Sequence, residues 1–542
     1  MVEVPIIIAG GGPVGLALAM DLGWRGVPNL LFEERIPTEP PNPKCNTTNA
    51  RSMEHFRRLG CADRLRAAGL PVDHPTHVLY ITRLNGHLLG RLNLPPSSMR
   101  RQDTGALDQG WPTPEPQHRI SQIFVEPILY HHARTFPAVE IRRGWRVENF
   151  SQRDGEVSVE VVEIVSGRRE THRSHYLVGC DGGRSTIRRQ LGIELNGTEV
   201  IGRNVSVYFR SPKLIEHDRN GPAWMYWIIN RDQFATLVAL DGKELWLLHL
   251  TVPPNKDFAD IDLKVAIPAA LGVELATEVL GLERWTSRRL VADRYRDGNV
   301  FLAGDAAHIW IPLGGFGMNA GIGDATHLAW LLSADYHGWA GTRLLDAYEA
   351  ERRPIGDLVS GAAVQIMKNR GPAMRVEEGL EDNTAAGEAM RRAMGERIVA
   401  ADASQFNSVG VQLGYYYDNS PINVSDGTPP PVFSLDKYVP TSRPGSRAPH
   451  VWLRNRKSLY DALGRDFTLL RLGTVAGDVS TLADVAKNRR VPLKVLDVFE
   501  PEVLATYENF PLVLIRPDQH VAWRGRELPN DPFALIDRIR GA

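Results

Sequence analysis

The sequence has few cysteines, almost no net charge and no long apolar run. Its 542 residues include Cys45, Cys61 and Cys180, which form neither a C-x-x-C pair nor a metal-like spacing, so no metal site is expected. A formal net charge of −1 gives no global field that would recruit nucleic acid or an anionic membrane. No stretch of about 18 apolar residues lacks a charge or a glycine, so no membrane span is expected. These absences favour a cytoplasmic protein.

The first 34 residues predict a dinucleotide-binding unit. Pro5–Ala9 is an apolar run of strand length, and Gly10, Gly12 and Gly15 then give G-x-G-x-x-G. A helical apolar pattern and a second apolar run follow, ending at Glu33. A helix N-terminus at this turn can hold a pyrophosphate, and the acid can accept hydrogen bonds from a ribose. A signal peptide is disfavoured, because no basic segment precedes the stretch and consecutive glycines interrupt it.

The length predicts two or three domains. Val205–Val252 is strand-like and rich in aromatic residues, which indicates a sheet that forms the floor of a substrate site. Glycines open a helix in Gly314–Leu332, and Pro421–Pro449 has the proline content of a linker. The rest of the chain alternates strands and helices, which predicts a small α/β unit.

Two further motifs follow the glycine fingerprint in order. Asp181–Arg188 contains D-G-x-x-S-x-x-R, and Gly304–His308 reads GDAAH, followed by the loop Pro312–Asn319. Together the three motifs resemble the single-component (class A) FAD-dependent aromatic hydroxylases. The tail, with RPGSRAPHVWL, FTLLRLG and LVLIRPDQHVAWRG, is similar to the thioredoxin-like C-terminal domain of the phenol-hydroxylase branch. The tail has no C-x-x-C, so it is expected to serve stability or association rather than redox chemistry.

The resemblance implies an α/β fold with a Rossmann-like FAD-binding domain, an inserted mixed β-sheet substrate domain and a C-terminal thioredoxin-like α/β domain. The expected ranges are 1–75, 118–200 and 290–370 for the discontinuous FAD-binding domain, 76–117 and 201–289 for the substrate domain, 371–430 for a helical segment and linker, and 431–542 for the thioredoxin-like domain.

The resemblance also assigns the cofactor-binding residues. Asp305 is expected at the ribityl and pyrophosphate region, Arg51 at the pyrophosphate, and the D-G motif at both flavin and pyridine nucleotide. The helix after the Gly314–Asn319 loop is expected to direct its N-terminus at the flavin pyrimidine ring. The full set is Gly10, Gly12, Pro13, Val14, Gly15, Glu33, Glu34, Lys44, Arg51, Gln122, Val147, Asp181, Asp305, Gly315, Gly317, Met318 and Asn319.

The substrate and catalytic residues are less well defined by the sequence. The substrate candidates are Tyr226, His249, Pro312, Leu313 and Gly314. Tyr226 and His249 are each more often packed sheet residues than substrate contacts. His308 and Pro312 are the catalytic candidates, although a histidine in GDAAH is more often structural. No general base can be named.

The resemblance implies a phenol-degrading type of activity with bound FAD and NAD(P)H as co-substrate. A flavin C4a-hydroperoxide formed from molecular oxygen would hydroxylate a small phenolic or other aromatic substrate, and a homodimer is expected. A Baeyer–Villiger or epoxidising polyketide-tailoring enzyme on the same fold remains an alternative, as does a flavin-binding sensor without turnover. A flavin disulfide reductase is disfavoured by the missing C-x-x-C. The substrate, the regiochemistry and the choice between NADH and NADPH stay open.

Overall fold

The computed structural model describes residues 3–474 and 478–542, and their strands form four sheets. The first sheet has the order β15 (Arg296–Asp297), β16 (Val300–Leu302), β9 (Tyr176–Gly179), β1 (Ile6–Ala9), β2 (Asn29–Glu33) and β5 (Val139–Arg143). The central strand β1 is entirely apolar and buried, and it pairs in parallel with β2 and β9. A parallel sheet needs helices on its faces. The predicted β–α–β unit at the start of the chain is confirmed.

The second sheet is mixed and carries the aromatic block. Its order is β17 (His308–Trp310), β14 (Glu278–Ala292), β10 (Leu195–Arg210), β13 (Leu245–Val252), β12 (Phe234–Ala239), β11 (Met225–Ile229), β3 (Val78–Ile81) and β4 (Leu88–Leu92). The pairing of β3 with β11 is parallel, and the other pairings are antiparallel. Strand β17 follows the GDAAH motif and lies at the edge of this sheet, so the two sheets meet at that motif.

Two smaller sheets complete the strands. One joins β6 (Trp145–Arg153), β7 (Glu156–Glu163) and β8 (Arg169–Ser174). The other has the order β19 (Leu493–Val498), β18 (Phe467–Leu472), β20 (Leu512–Ile515) and β21 (Val521–Gly525). Strands β20 and β21 form a hairpin, and β18 pairs in parallel with β19.

The helices cover the sheets and join the domains. They are α1 (Pro13–Trp24), α2 (Ala50–Arg58), α3 (Ala62–Arg66), α4 (Gln122–Ala133), α5 (Thr186–Gln190), α6 (Leu263–Leu271), α7 (Phe316–Tyr336), α8 (Asp346–Arg370), α9 (Ala385–Phe406), α10 (Val409–Leu413), α11 (Leu459–Ala462), α12 (Ser480–Asn488), α13 (Pro501–Thr506) and α14 (Pro532–Ile539). Helix α2 begins after Asn49, whose side chain accepts a hydrogen bond from the Ser52 N–H, as an N-cap does.

The C-terminal domain shares a continuous core with the FAD-binding domain. Trp330 on α7 stacks on Trp339 with the ring centroids 6.5 Å apart, and both rings pack edge-on against Phe467 of β18. The predicted linker has irregular structure, but residues 441–450 at its C-terminal end are all buried. These residues are therefore packed against the rest of the protein and do not form a flexible spacer.

Among the helices of the described residues, none has both the length and the apolar character needed to cross a bilayer.

Candidate active site

A cavity of about 1080 Å³ lies between the first two sheets. Its walls come from the turn after β1, the segment after β9, the loop before α7 and the faces of β11, β12 and β13. Ligand sites of α/β proteins form at the carboxyl ends of parallel strands, where this turn lies. The volume is at the upper end of the range for one small ligand, which leaves space for a cofactor together with a substrate.

Most residues that the sequence assigned to a cofactor lie on these walls. They are Gly10, Gly12, Pro13, Val14, Glu33, Glu34, Lys44, Gln122, Val147, Asp181, Asp305, Gly315, Gly317 and Met318. Of the substrate candidates, His249, Pro312, Leu313 and Gly314 also line the cavity.

The glycine turn has the shape that a pyrophosphate requires. A Cβ on Gly15 would lie 2.0 Å from the Gly10 carbonyl oxygen, so Gly15 serves close packing of α1 rather than the cavity wall. A Cβ on Gly12 would instead meet no described atom within 4 Å. Helix α1 begins at Pro13, and the described side chains leave its first N–H groups uncapped. The turn thus offers open space and free donors to an anion.

Glu33 closes the turn from β2. One carboxylate oxygen accepts the Gly11 N–H at 2.5 Å, and the other accepts the Arg35 N–H and Nε–H at 3.0 and 2.9 Å. Arg35 also donates to Glu126, which in turn accepts from the Gln122 amide at 2.6 Å. These bonds fix the carboxylate on the wall, where its remaining lone pairs can accept from a ribose.

Asp305 is an unpaired acid on the opposite wall. Its surface is exposed to the cavity, and no side chain or N–H of the described residues donates a hydrogen bond to it. Desolvation by the surrounding protein raises the pKa of the Asp305 carboxyl, while the charges of His308 and Lys44 lower it. An acid that lacks donors here would be satisfied by the hydroxyl groups of a ribityl chain.

A second helix begins at the cavity. Gly314 and Gly315 have φ values of 75° and 66°, which favour glycine, and α7 starts at Phe316 directly after them. The described side chains leave its N-terminus uncapped as well. Gly317 and Met318 line the cavity there, so the positive end of a 21-residue helix faces the cavity.

Besides Gly15, two residues that the sequence assigned to the cofactor lie off the cavity wall. Arg51 does not line the cavity, and its guanidinium donates to Glu54 at 2.8 Å, to Gln519 at 2.7 Å and to the Asp518 carbonyl. In this arrangement it joins α2 to the C-terminal domain. Asn319 is also off the wall, since its amide donates to the Thr47 and Gly315 carbonyls and accepts the Asn49 N–H. It positions the glycine loop.

His308 and Tyr226 are packed residues. His308 is buried, bonds through Nε2 to Asp324 at 2.7 Å and stacks on Trp310 at 4.5 Å. The Tyr226 hydroxyl donates to Asp218 at 2.8 Å and accepts the Ala223 N–H, away from the cavity. Burial raises the pKa of Tyr226 well above its usual range. Neither side chain lines the cavity.

His249 does face the cavity, and its ring is held from behind. Its Nδ1 lies 2.7 Å from the Ser206 hydroxyl, which also accepts the Trp285 indole N–H at 2.7 Å. Because the indole can only donate, the serine hydrogen is free to bond Nδ1, which leaves the imidazole proton on Nε2. Burial lowers the pKa of His249 to about 4, so the ring is neutral at pH 7.

The substrate end of the cavity is lined by aromatic and cationic side chains that lie outside the three sequence motifs. Its aromatic side chains are Trp224, Trp227, Phe234, Trp285, Trp310 and Phe406. Two cations, Arg119 and Arg370, stand among them. The aromatic block in the sequence indicated Trp224, Trp227 and Phe234, but Phe406 and Arg370 come from α9 and α8 and have no local signal. The fold and cavity together define a dinucleotide-binding protein with an adjoining aromatic chamber.

Comparisons with known proteins agree with this description. The chain matches the FAD binding domain family over residues 3–363 and the aromatic-ring hydroxylase C-terminal family over residues 441–540. The FAD-dependent monooxygenase apdD of Emericella nidulans is 33% identical, over 98% of this chain and 89% of that protein. The rebeccamycin biosynthetic enzyme RebC with reduced flavin superposes with a TM-score of 0.89 at 35% identity, over 100% and 99% of the chains. Aklavinone-11 hydroxylase with FAD and aklavinone gives 0.82 at 28% identity, over 100% of both chains.

The chain belongs to the FAD-dependent aromatic-ring hydroxylases. It is an FAD-dependent aromatic monooxygenase, and FAD is its cofactor, as the sequence motifs predicted. The expected fold class, with a C-terminal domain of its own, is confirmed by the same matches.

Proposed function

We propose that this protein uses NAD(P)H and molecular oxygen to hydroxylate a phenolic substrate of more than one ring. This proposal is based on the chamber of six aromatic side chains. The chamber is part of the same cavity that the two uncapped helix N-termini face. Such walls supply large apolar contact area for a flat substrate. Aklavinone-11 hydroxylase, in complex with FAD and aklavinone, supports this size of substrate by analogy.

The cavity walls suggest how FAD is held. Gly12 and the α1 N-terminus would receive the pyrophosphate, with Glu33 at the ribose and Asp305 at the ribityl hydroxyls. Lys44 stands at the cavity edge, paired at 3.4 Å with Glu283, and can supply the cation that Arg51 does not. Bound FAD supplies the redox chemistry that activates oxygen.

The protein's own contribution is orientation and electrostatics. The α7 N-terminus places N–H donors where negative charge on a ligand would be stabilised. The His249 Nε2–H is positioned to donate to a substrate hydroxyl or phenolate oxygen. A ring with a pKa of about 4 is a weak base, so His249 orients the substrate rather than removing its proton.

The proposal also covers the domain ranges, the cellular location and the oligomeric state. We propose the domain ranges given above, with one adjustment suggested by strand pairing: β17 belongs to the substrate sheet although it lies within 290–370. A cytoplasmic location is supported by three free cysteines whose thiol pKa values are all raised by burial. The proposed homodimer rests on the family resemblance alone.

The test is NAD(P)H oxidation by purified, FAD-loaded protein against a panel of phenols, hydroxybenzoates and polycyclic ketones, with product mass and NMR. We expect a polycyclic phenol to accelerate NADH or NADPH loss and to gain one oxygen as a ring hydroxyl. A lactone or epoxide product would replace the hydroxylase proposal by the oxygen-insertion alternative. Peroxide without product would identify an effector, and no acceleration by any compound would overturn the proposal.

A further inference from the structure

Arg370 places a guanidinium inside the aromatic chamber. It is the last residue of α8, and its guanidinium carbon lies 4.0 Å from the centroid of the Trp227 ring. Met367, Gln405 and Phe406 line the cavity beside it. Stacking on an indole face holds the guanidinium plane while leaving its N–H edge open for hydrogen bonds.

This cation lacks the partners that the other chamber cation has. Arg119 bonds Asp108 at 3.3 Å and Thr47 at 3.1 Å. For Arg370, the described residues provide a long contact of 3.5 Å to the Gln405 side-chain oxygen and no carboxylate within 4.0 Å. The acid whose charge acts on it is Asp402, which is engaged at 2.6 Å by the Tyr80 hydroxyl. Several guanidinium donors therefore remain open.

We propose that Arg370 binds a carboxylate of the aromatic substrate, so that the chamber selects hydroxyaromatic acids over their neutral analogues. This inference rests on the proposed function only in taking the chamber as the substrate site. A partly buried guanidinium without an ion pair is costly, and a ligand carboxylate matches its planar fork in a bidentate pair. A phenolate is the poorer match, because a phenol ionises only near pH 10 in the absence of a base.

The charge balance of the chamber supports the same ligand. Burial lowers the pKa of Arg370, and the charge of Asp402 only partly offsets this effect. Burial also raises the pKa of Asp402, and its carboxyl group accepts a hydrogen bond from the Tyr80 hydroxyl instead of pairing with Arg370 within 4.0 Å. A substrate carboxylate on the cavity side supplies the missing negative charge.

The experiment compares a hydroxynaphthoic acid with its methyl ester, by isothermal titration of the FAD-loaded protein and by steady-state kinetics. We expect the acid to bind at least tenfold more tightly than the ester. In Arg370→Met the acid should bind about tenfold to a hundredfold more weakly, and the ester less than threefold more weakly. Arg370→Lys should keep part of the preference.

The control is Arg375→Met, which removes the same charge from an exposed position outside the cavity. It should leave both affinities unchanged. Equal binding of acid and ester by the natural protein overturns the inference and needs no variant. An acid preference that survives Arg370→Met, with FAD content and melting temperature intact, also overturns it. Selective binding of the acid without oxygen insertion would uphold the inference while refuting the proposed function.

Discussion

Asp305 and Gly12 show how single residues mark the cofactor site before any cofactor is seen. Asp305 is an acid to which no described group donates, and Gly12 is a backbone position with open space where a side chain would point. Proteins rarely leave buried polar groups unsatisfied, and a ligand that covered Asp305 would bury its carboxylate. Both positions therefore make sense as surfaces that a ligand completes.

Asp305→Ala should lose FAD. Removing the carboxylate deletes acceptors for the ribityl hydroxyls, and we expect the FAD dissociation constant to rise at least tenfold. The measurement is flavin absorbance per protein after gel filtration, with a titration of the apoprotein. Asp305→Asn is the matched control, because the amide oxygen still accepts and should retain more flavin. Stoichiometric yellow flavin in Asp305→Ala would contradict the assignment.

Alanine substitutions at two glycines of the G-x-G-x-x-G motif should distinguish a residue needed for FAD binding from one needed for folding. Gly12→Ala should change apoprotein stability by less than about 0.5 kcal/mol, because its Cβ meets open space, and should nevertheless weaken FAD binding. Gly15→Ala should cost about 1–3 kcal/mol, because its Cβ would clash with the Gly10 carbonyl. Urea unfolding of the two apoproteins gives both values. Equal loss of stability would refute the distinction.

Arg51 and Asn319, which lie off the cavity wall, have partners far along the chain. Arg51 is the second residue of α2, and its neighbours in the sequence do not distinguish an arginine that binds phosphate from one that contacts a distant domain. Its partner Gln519 lies 468 positions away. Asn319 lies in the first turn of α7 and bonds the backbone of the glycine loop, a role that only the hydrogen bonds of its amide reveal.

At the scale of elements, the turn between β20 and β21 contributes a buried ion pair to the contact of the C-terminal domain with the FAD-binding domain. Arg516 pairs bidentately with Glu351 of α8 at 2.7 Å and also with Asp518 at 2.8 Å. His327 of α7 lies between the two carboxylates. The side chains of His327, Glu351 and Asp518 lie close enough together to ligate a metal ion. Arg516 already balances the negative charge of the two carboxylates.

Breaking this ion pair should be strongly destabilising. Arg516→Met leaves the Glu351 carboxylate buried without its partner, and we expect a loss of about 3–5 kcal/mol in the free energy of unfolding. Arg454→Met, at the exposed pair with Glu502, is the control and should not move the urea midpoint. A midpoint for Arg516→Met equal to that of the natural protein would show that the turn does not hold the domains together.

Elements were easier to predict than the contacts between them. The strand β1 and the helix α7 have strong local patterns, and each appears where the sequence indicated. The packed end of the linker was missed, because proline content reports that a segment is irregular but not that it is buried. Burial depends on surfaces that other parts of the chain supply.

At the scale of the whole molecule, buried histidines should make stability fall in mild acid. The pKa is lowered to about 3 for His118 and to about 4 for His249, His450 and His520, in each case chiefly by burial. Each takes up a proton on unfolding once the pH is below its unfolded value of about 6.5. Stability should therefore decline from pH 6.5 towards 4, by at most about 1.4 kcal/mol per pH unit for each histidine.

Acids with raised pKa values act in the opposite direction. Burial raises the pKa of Asp181 and Asp402, so these groups favour the folded state as the pH falls and reduce the net decline. Urea midpoints of the apoprotein between about pH 7 and pH 5 measure the combined effect of these histidines and acids on stability. The prediction fails if the midpoint is constant or rises as the pH is lowered.

The ion pairs of the C-terminal domain with α2 and α8 join residues that are synthesised far apart in time. Glu54 is complete as an ion pair only when Arg447, 393 positions later, has been made, and Glu351 waits 165 positions for Arg516. The ion pairs that join the nucleotide-binding domain to the C-terminal domain can therefore form only after residues 447 and 516 have been synthesised.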